Sequence, residues 1–209
     1  MDTRSKLVTA LGASAAVLCL HLIPMEEGRP ARGYLDPAGI PSKCYGDTQD
    51  VQVGRVYSDA ECRSSLETAL IKHCGPVAES VPGIKSKPFA LTAGCSLGYN
   101  AGVAGWRMSD ARKHMLAGEW PQACRAFMWN DSGRRIYVTA RNRTTGRYDY
   151  LPGLDKRRQL ERLLCDRDVK GDGGWQPDGA ALADYKRLMA ESESELLAVK
   201  GNYDLEDVK

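Results

Sequence analysis

The sequence predicts an α+β fold, in which a small region of strands is followed by a body of helices. Residues 28–57 are rich in Gly, Pro, Tyr and Val, and turn signals at 36–39 and 45–47 divide them into short segments typical of strands. From Ser58 onwards, apolar residues recur at helical spacing and helix-capping residues precede several of the runs. An apolar segment, residues 7–23, precedes both regions.

Capping residues and apolar spacing define the predicted helices. Ser58 and Glu61 form a capping box, which opens a helix that continues past Leu66 and Leu70. The helix at 154–165 is amphipathic and carries leucines opposite a face rich in basic residues. The remaining helices are predicted at residues 88–98, from Ser109 to Gly118, and from Pro121 onwards.

Two segments extend this plan. Residues 131–150 form an arginine-rich insertion, in which the run 136–139 and a turn at 145–146 predict a β-hairpin. After residue 165, a loop is followed by an amphipathic helix with apolar side chains at Leu182, Tyr185, Met189 and Leu196.

Composition and charge narrow the class of protein. The 43% apolar and 27% charged residues are ordinary for a globular chain, which excludes disordered and collagen-like classes. The net charge of +2 divides unevenly, because residues 166–209 carry 11 acids against 6 bases, leaving +7 on residues 1–165. A basic body suits a polyanionic partner such as nucleic acid, anionic lipid or bacterial wall polymers. No nucleic-acid-binding motif is present, so no nucleic-acid partner is expected.

Seven cysteines are many for a cytosolic protein of this size. None has C-x-x-C spacing, which argues against a zinc site and a thioredoxin-like redox motif, and disulfides in an oxidising compartment are the better interpretation. An odd number leaves at least one thiol unpaired. Residues 166–177 are rejected as a calcium loop because they place Lys170 and Pro177 where oxygen ligands belong, so no metal and no cofactor is predicted.

The N-terminus indicates export. Arg4 and Lys6 precede residues 7–23, a 17-residue run without charged side chains that is short for a membrane span and rich in small residues. We therefore favour an uncleaved, weakly apolar signal-anchor over residues 1–24. A cleaved signal peptide is the alternative, although the small-residue pattern at 13–15 lies in the middle of the run. A buried core helix ranks third, since the basic flank and terminal position fit export.

Two carboxylates and a hydroxyl follow the apolar segment. Eight residues separate Glu27 from Asp36, and five separate Asp36 from Ser42. One carboxylic acid can protonate the leaving oxygen of a glycosidic bond, while the other activates water or stabilises the sugar cation. A hydroxyl at Ser42 can hold that water. Spacing alone is weak evidence, because acidic residues in turns are usually solvated.

The residues around these side chains resemble those of a known family. The Glu-x8-Asp-x5-Ser spacing resembles the Glu-x8-Asp-x5-Thr hallmark of the phage-type lysozymes, the endolysins of glycoside hydrolase family 24. The resemblance covers about residues 26–165 in the right order. Its further matches are residues 34–40, 44–48, Glu61-Cys62, the Asn-x-Gly at Asn100, Ala123-Cys124, 152–158, Glu161 and Cys165.

The resemblance implies a lysozyme-like fold, with residues 25–165 as the catalytic domain and 166–209 as an extension. It implies that Glu27 is the general acid, Asp36 the residue that positions or activates water, and Ser42 the counterpart of the family threonine. Arg157 or Arg158 is a candidate ion-pair partner for Glu27, and a solvated basic helix face is the alternative. Asp47 replaces the usual histidine, with no role predicted for it.

The resemblance also implies that Cys44 pairs with Cys62 and Cys124 with Cys165. Cys74 and Cys95 fall on adjacent predicted helices, which favours a third bridge between them. Cys19 is then left in the apolar segment, either as a small buried side chain or as a switch thiol.

The functional prediction is an endolysin that hydrolyses the β-1,4 bond between N-acetylmuramic acid and N-acetylglucosamine of peptidoglycan and lyses the bacterial host cell. A lytic transglycosylase and a catalytically silent wall-binding protein are the alternatives. The expected partners are peptidoglycan and, through residues 7–23, the host inner membrane. Release to the periplasm would free Glu27 from the membrane, and a monomer is expected.

Overall fold

Helices form most of the chain, as a computed structural model shows for residues 2–28, 31–36, 39–141, 145–169 and 177–200. The helices of this described part are α1 (Thr3–Leu11), α2 (Ala13–Glu27), α3 (Asp59–Glu79), α4 (Pro88–Arg107), α5 (Asp110–Leu116), α6 (Trp120–Arg125), α7 (Pro152–Asp168) and α8 (Gly179–Lys200), with a 3-10 turn at Ile84–Ser86. The strands pair as two antiparallel hairpins, β1 (Tyr34–Leu35) with β2 (Pro41–Ser42) and β3 (Thr139–Arg141) with β4 (Tyr148–Tyr150). The predicted α+β class, with a small β-region and a helical body, is confirmed.

Local sequence signals set the starts of α3 and α5 as predicted. At α3, the Ser58 hydroxyl accepts a hydrogen bond from the Glu61 backbone N–H, and the Glu61 carboxylate accepts one from the Ser58 N–H. At α5, the Ser109 hydroxyl accepts a bond from the Arg112 N–H. Helix α4 extends past the predicted 88–98 because Gly102, at φ +78°, accommodates a kink that continues the helix to Arg107.

The apolar N-terminal segment lies in the core of the helical body. Helices α1 and α2 meet at Gly12, whose φ of +83° suits glycine, and their axes are bent by 112°. Leu11, Leu18 and Leu22 are fully buried. The buried core helix that sequence analysis ranked third is therefore what the structure describes, because apolar side chains are stabilised by packing in a core as they are by lipid.

Neither N-terminal helix is by itself long and apolar enough to cross a membrane. Taken together, the bent pair Thr3–Leu11 and Ala13–Glu27 meets that criterion by length and composition. The membrane-inserted form thus remains a prediction.

Helix α8 covers one face of α2. Helix α8 packs against α2 and α7, and its Leu188 is fully buried in the common core. On the same helix, the Glu195 carboxylate lies 3.4 Å from the Arg4 guanidinium and 3.2 Å from the His21 ring. The amphipathic helix predicted for the tail is confirmed, and α8 belongs to the same core as the other described helices it contacts.

The hairpin predicted in the insertion is present, but it begins later than expected. The β3 strand starts at Thr139, opposite Tyr150, rather than at Ile136. Tyr137 adopts a φ of +55° and donates a hydrogen bond from its hydroxyl to the Gly105 carbonyl, 3.2 Å away, so this part of the chain cannot be extended.

Two disulfides link the cysteines that the family resemblance pairs: Cys44 with Cys62, and Cys124 with Cys165. The predicted third bridge is wrong. Helices α3 and α4 do bring Cys74 and Cys95 together, but both are free thiols, and Cys19 of α2 packs at the same place. The sulfur atoms of these three cysteines all lie within 4.8 Å of one another.

Candidate active site

An open cleft of about 660 Å³ lies between the strand region and α3. One wall comes from the loop that follows β2 and is tied down by the Cys44–Cys62 disulfide. Its lining includes the cationic residues Lys43, Arg55 and Lys72, the acidic residues Glu27, Asp47, Asp50 and Glu61, and the rings of Tyr45, Tyr57, His73 and Tyr99.

Glu27 lies at this cleft because it is the last residue of α2. Gly28, at φ +67°, ends the helix there. The Glu27 carboxylate accepts a hydrogen bond of 2.5 Å from the Arg157 guanidinium on α7, and about a quarter of the Glu27 side chain remains exposed. The fold thus presents a partly open carboxylate with one face fixed by a cation.

The Arg157 guanidinium is in turn hydrogen-bonded to Ser96 on α4. Its Nε donates to the Ser96 hydroxyl over 3.0 Å, and a terminal nitrogen donates to the Ser96 carbonyl over 3.2 Å. Only 4% of the side chain is exposed. Of the two candidate partners for Glu27, the structure selects Arg157.

Arg158 instead pairs with Glu161, at 2.6 Å, and both side chains are fully buried. Burial raises the pKa of Glu161, while the charges of Arg158 and Arg157 oppose that rise. Of the two alternatives for the basic face of α7, the solvated face is excluded at these positions, because Arg157 and Arg158 face inward and pair with Glu27 and Glu161. Helical periodicity does not distinguish the two, since it does not show which charges lie opposite.

Asp36 and Ser42 lie on the β1–β2 hairpin. The Asp36 carboxylate accepts a 2.8 Å hydrogen bond from the Ile40 backbone N–H, and the buried Ser42 hydroxyl donates to the Ile40 carbonyl over 3.3 Å. Neither residue is among the described residues that line the cleft at Glu27. Of the three residues in the predicted catalytic set, the structure therefore brings only Glu27 into the cleft.

Asp47, which had no predicted role, organises the wall of the cleft. Its carboxylate accepts hydrogen bonds from the Ser65 hydroxyl, at 2.5 Å, and from the Gln49 N–H, at 2.9 Å. The Lys43 ammonium lies 3.5 Å away. These contacts join the loop after β2 to α3 and engage both carboxylate oxygens.

Tyr99 and His73 also line the cleft, although sequence analysis gave them no role there. The Tyr99 hydroxyl donates to the Tyr45 carbonyl over 2.8 Å, and burial raises its pKa. The His73 ring lies 5.1 Å from the Tyr99 ring, and burial lowers its pKa. Its Nδ1 is buried without a hydrogen-bond partner in the described structure. Tyr99 precedes the Asn-x-Gly segment, which was the available signal.

The model of the family described as Phage lysozyme matches residues 25–161. This chain belongs to the phage lysozyme family. A protein named SAR-endolysin, from Bacteriophage PS119, is 30% identical over 173 residues, which cover 78% of this chain and 93% of the relative. An endolysin from Acyrthosiphon pisum secondary endosymbiont phage 1 is 28% identical, over 70% of this chain and 94% of its own length.

Solved structures share the fold of this phage lysozyme. The endolysin of Escherichia coli O157:H7 phage FAHEc1 superposes with a TM-score of 0.62 at 23% identity, covering 74% of this chain and 94% of that one. The active form of P1 phage endolysin Lyz gives a TM-score of 0.59 at 21% identity, over 79% and 94% of the two chains. The predicted family and lysozyme-like fold are both confirmed, and membership supports a lysozyme-like peptidoglycan hydrolase.

Proposed function

We propose that this phage lysozyme hydrolyses the β-1,4 bond between N-acetylmuramic acid and N-acetylglucosamine, with Glu27 as its general acid. The position of Glu27 carries the proposal: the carboxylate faces an open cleft of about 660 Å³ and is fixed on one side by Arg157. A general acid must lie within hydrogen-bond reach of the leaving oxygen, and a fixed carboxylate meets that requirement without reordering.

We assign Asp36 the role of positioning or activating water, with Ser42 assisting, from their places in the Glu27-x8-Asp36-x5-Ser42 motif. The hydrogen bond from the Ile40 N–H supports this role, because it orients the Asp36 carboxylate on a tight hairpin. Asp47 is the rival carboxylate, since it lines the cleft directly. Its bonds to Ser65 and Gln49 favour a structural role.

The charges of the cleft suit the proposed substrate. Lys43, Arg55 and Lys72 line it and can attract the carboxylates that the peptide groups of peptidoglycan carry. The ring of Tyr57 packs under Lys43 and Arg55, with centroid distances of 5.1 and 4.7 Å, which holds these two cations in place.

The experiment for Glu27 is clearing of permeabilised Gram-negative cells by purified enzyme. We expect Glu27→Gln to lower the rate by at least about 100-fold, which is the usual contribution of a general acid. Glu26→Gln is the matched control, because it changes the preceding acid on the same helix and should retain near-normal activity. Mass spectrometry of the products should show reducing ends. Anhydro ends would indicate a transglycosylase, and clearing by Glu27→Gln would refute the assignment.

A second pair of variants separates the two carboxylates. Asp36→Asn should abolish hydrolysis while leaving the thermal midpoint near that of the wild type. Asp47→Asn should lower the midpoint, because it weakens the contacts with Ser65 and Lys43, yet retain turnover at temperatures where it is folded. The reverse pattern would make Asp47 the partner of Glu27.

We further propose that the enzyme first resides in the host inner membrane through residues 7–23 and then acts in the periplasm as a monomer. The basic flank at Arg4 and Lys6 supports insertion, and the name of the PS119 relative supports the same order of events. The buried α1–α2 pair then corresponds to the released enzyme.

To test release, Ala10 and Ala13 are replaced together by leucine. Both are only half-buried, so leucine raises membrane affinity with little overpacking of the core. We expect delayed lysis in cells and unchanged activity of the purified, folded enzyme. Unchanged lytic timing would contradict release, and loss of purified activity would instead report a folding defect.

A further inference from the structure

A cluster of three thiols lies in the centre of the helical body, apart from the cleft. Cys19 of α2, Cys74 of α3 and Cys95 of α4 are each fully buried, and their sulfur atoms lie within 4.8 Å of one another. They are far apart in sequence and outside C-x-x-C spacing, which is why sequence analysis predicted no metal site. The fold alone brings them together.

We infer that these three cysteines form a binding site for a soft metal ion, with Cu(I) and Zn(II) as the physiological candidates. Thiolate ligands select these ions over hard cations such as Mg²⁺ or Ca²⁺. A metal–sulfur distance of about 2.3 Å places the sulfurs of one site about 4 Å apart, so small side-chain rotations close the cluster around an ion.

The geometry supports coordination, because three fully buried sulfur atoms from three different helices lie close enough together to bind one ion. Full burial disfavours the thiolate form, and a bound cation supplies the positive charge that offsets this cost when the thiols deprotonate. Each thiol that binds the ion as a thiolate releases one proton to solvent, and no electron is transferred.

The site would also connect the N-terminal segment to the body. Cys19 is the only ligand on α2, so a complete site forms only when α2 is packed against α3 and α4. An ion that binds only this packed state stabilises it by mass action.

The test uses the full chain with both disulfides intact and no thiol reductant present. Cu(I) or Zn(II) is added without oxygen, in competition with a chromophoric chelator. We expect one ion per chain, three sulfur ligands in X-ray absorption, with a fourth, lighter ligand for Zn(II) alone, and a thermal midpoint raised by at least about 5 °C when free ion exceeds its Kd about a hundredfold. Failure of both ions to bind would overturn the inference.

Variants identify the ligands. Cys19→Ser and Cys95→Ser should each weaken binding by at least tenfold. Leu22→Val is the matched control, because it disturbs the fully buried side of the same helix without removing a ligand, and it should bind one ion normally. Unchanged affinity in both serine variants would refute the site. A non-reducing mass map that finds a disulfide within the cluster in enzyme isolated from the periplasm would do the same.

Discussion

Arg157 connects two parts of the fold, helix α4 and the end of helix α2. Its guanidinium donates to Ser96 on α4 and to Glu27 at the end of α2. A planar guanidinium presents its N–H groups in a fixed fork, so Ser96 determines the direction from which Glu27 is held. Arg157 is therefore a positioning residue for the proposed acid.

We predict that Arg157→Lys lowers kcat at least about tenfold with little change in KM, because an ammonium cannot reach both partners at once and small misplacements of an acid are costly. Initial rates of reducing-end release over a range of peptidoglycan concentrations measure both constants. Lys156→Ala is the control, since the neighbouring Lys156 pairs with Asp184, at 2.6 Å, instead of with Glu27. Equal losses in the two variants would contradict a specific role for Arg157.

Single residues were predictable where a motif fixes them. The Glu27 motif and the two disulfide pairs follow from ordered matches along the chain. The burial of Arg157 and Arg158 could not be deduced from the sequence. Helical periodicity gives the face of the helix on which a residue lies, but not which charged residue lies next to that face in the fold. The predicted Cys74–Cys95 bridge is absent, although the two helices do bring these residues together. The sequence also did not reveal that α2 packs beside them and adds a third thiol, Cys19.

The start of the insertion, at Asp131, is joined to α5 by a network of ion pairs. The His114 ring lies 2.6 Å from the Glu119 carboxylate and 2.7 Å from the Asp131 carboxylate, and Lys113 also pairs with Asp131. The hydrogen bond to Asp131 is the largest cause of a raised pKa at His114. The network fixes the start of residues 131–150 against the helical body.

A raised histidine pKa sets the direction of the pH dependence. Protonated His114 stabilises the folded state fully below the unfolded pKa of about 6.5, and this stabilisation is lost as pH rises through the higher folded pKa. We predict that the thermal midpoint declines over this interval in wild type and that the decline is reduced in His114→Gln. High salt should reduce this decline in the wild type, because the carboxylates of Glu119 and Asp131 are about half exposed and their interaction with His114 is screened. An identical decline in both proteins would exclude His114 as its source.

Elements with local signals were predicted well. The capping box fixed the start of α3, and Ser109 that of α5. The β3 start was misplaced because a β-favouring run, Ile136–Thr139, contains Tyr137 in a left-handed conformation, which a tertiary hydrogen bond to Gly105 accompanies. Propensity cannot anticipate a contact of that kind.

At the scale of the whole molecule, α8 of the extension packs against α2 of the N-terminal segment in a common core. Leu188 of α8 is fully buried, whereas Leu197 on the same helix is 56% exposed. We predict that Leu188→Ala lowers the free energy of unfolding by about 2–5 kcal/mol, as for other buried leucines, and that Leu197→Ala changes it by less than about 0.5 kcal/mol. Chemical denaturation measures both. A small effect at Leu188 would show that α8 contributes little to the core.

The arrangement of the whole was the hardest to foresee. Sequence analysis treated residues 1–24, 25–165 and 166–209 as three separate parts, and that division remains a proposal. The structure packs described helices from all three around one core. Composition could not reveal this, since an apolar segment gains similar free energy in lipid and in a protein interior.

The contact between α8 and α2 has a consequence for the order of events during synthesis. The ribosome makes α2 early and α8 after every other described element, so the face of α2 that α8 covers has no protein partner while the elements between them are made. A chain interrupted before residue 179 lacks the helix that covers this face. Completion of the described core is thereby coupled to synthesis of α8.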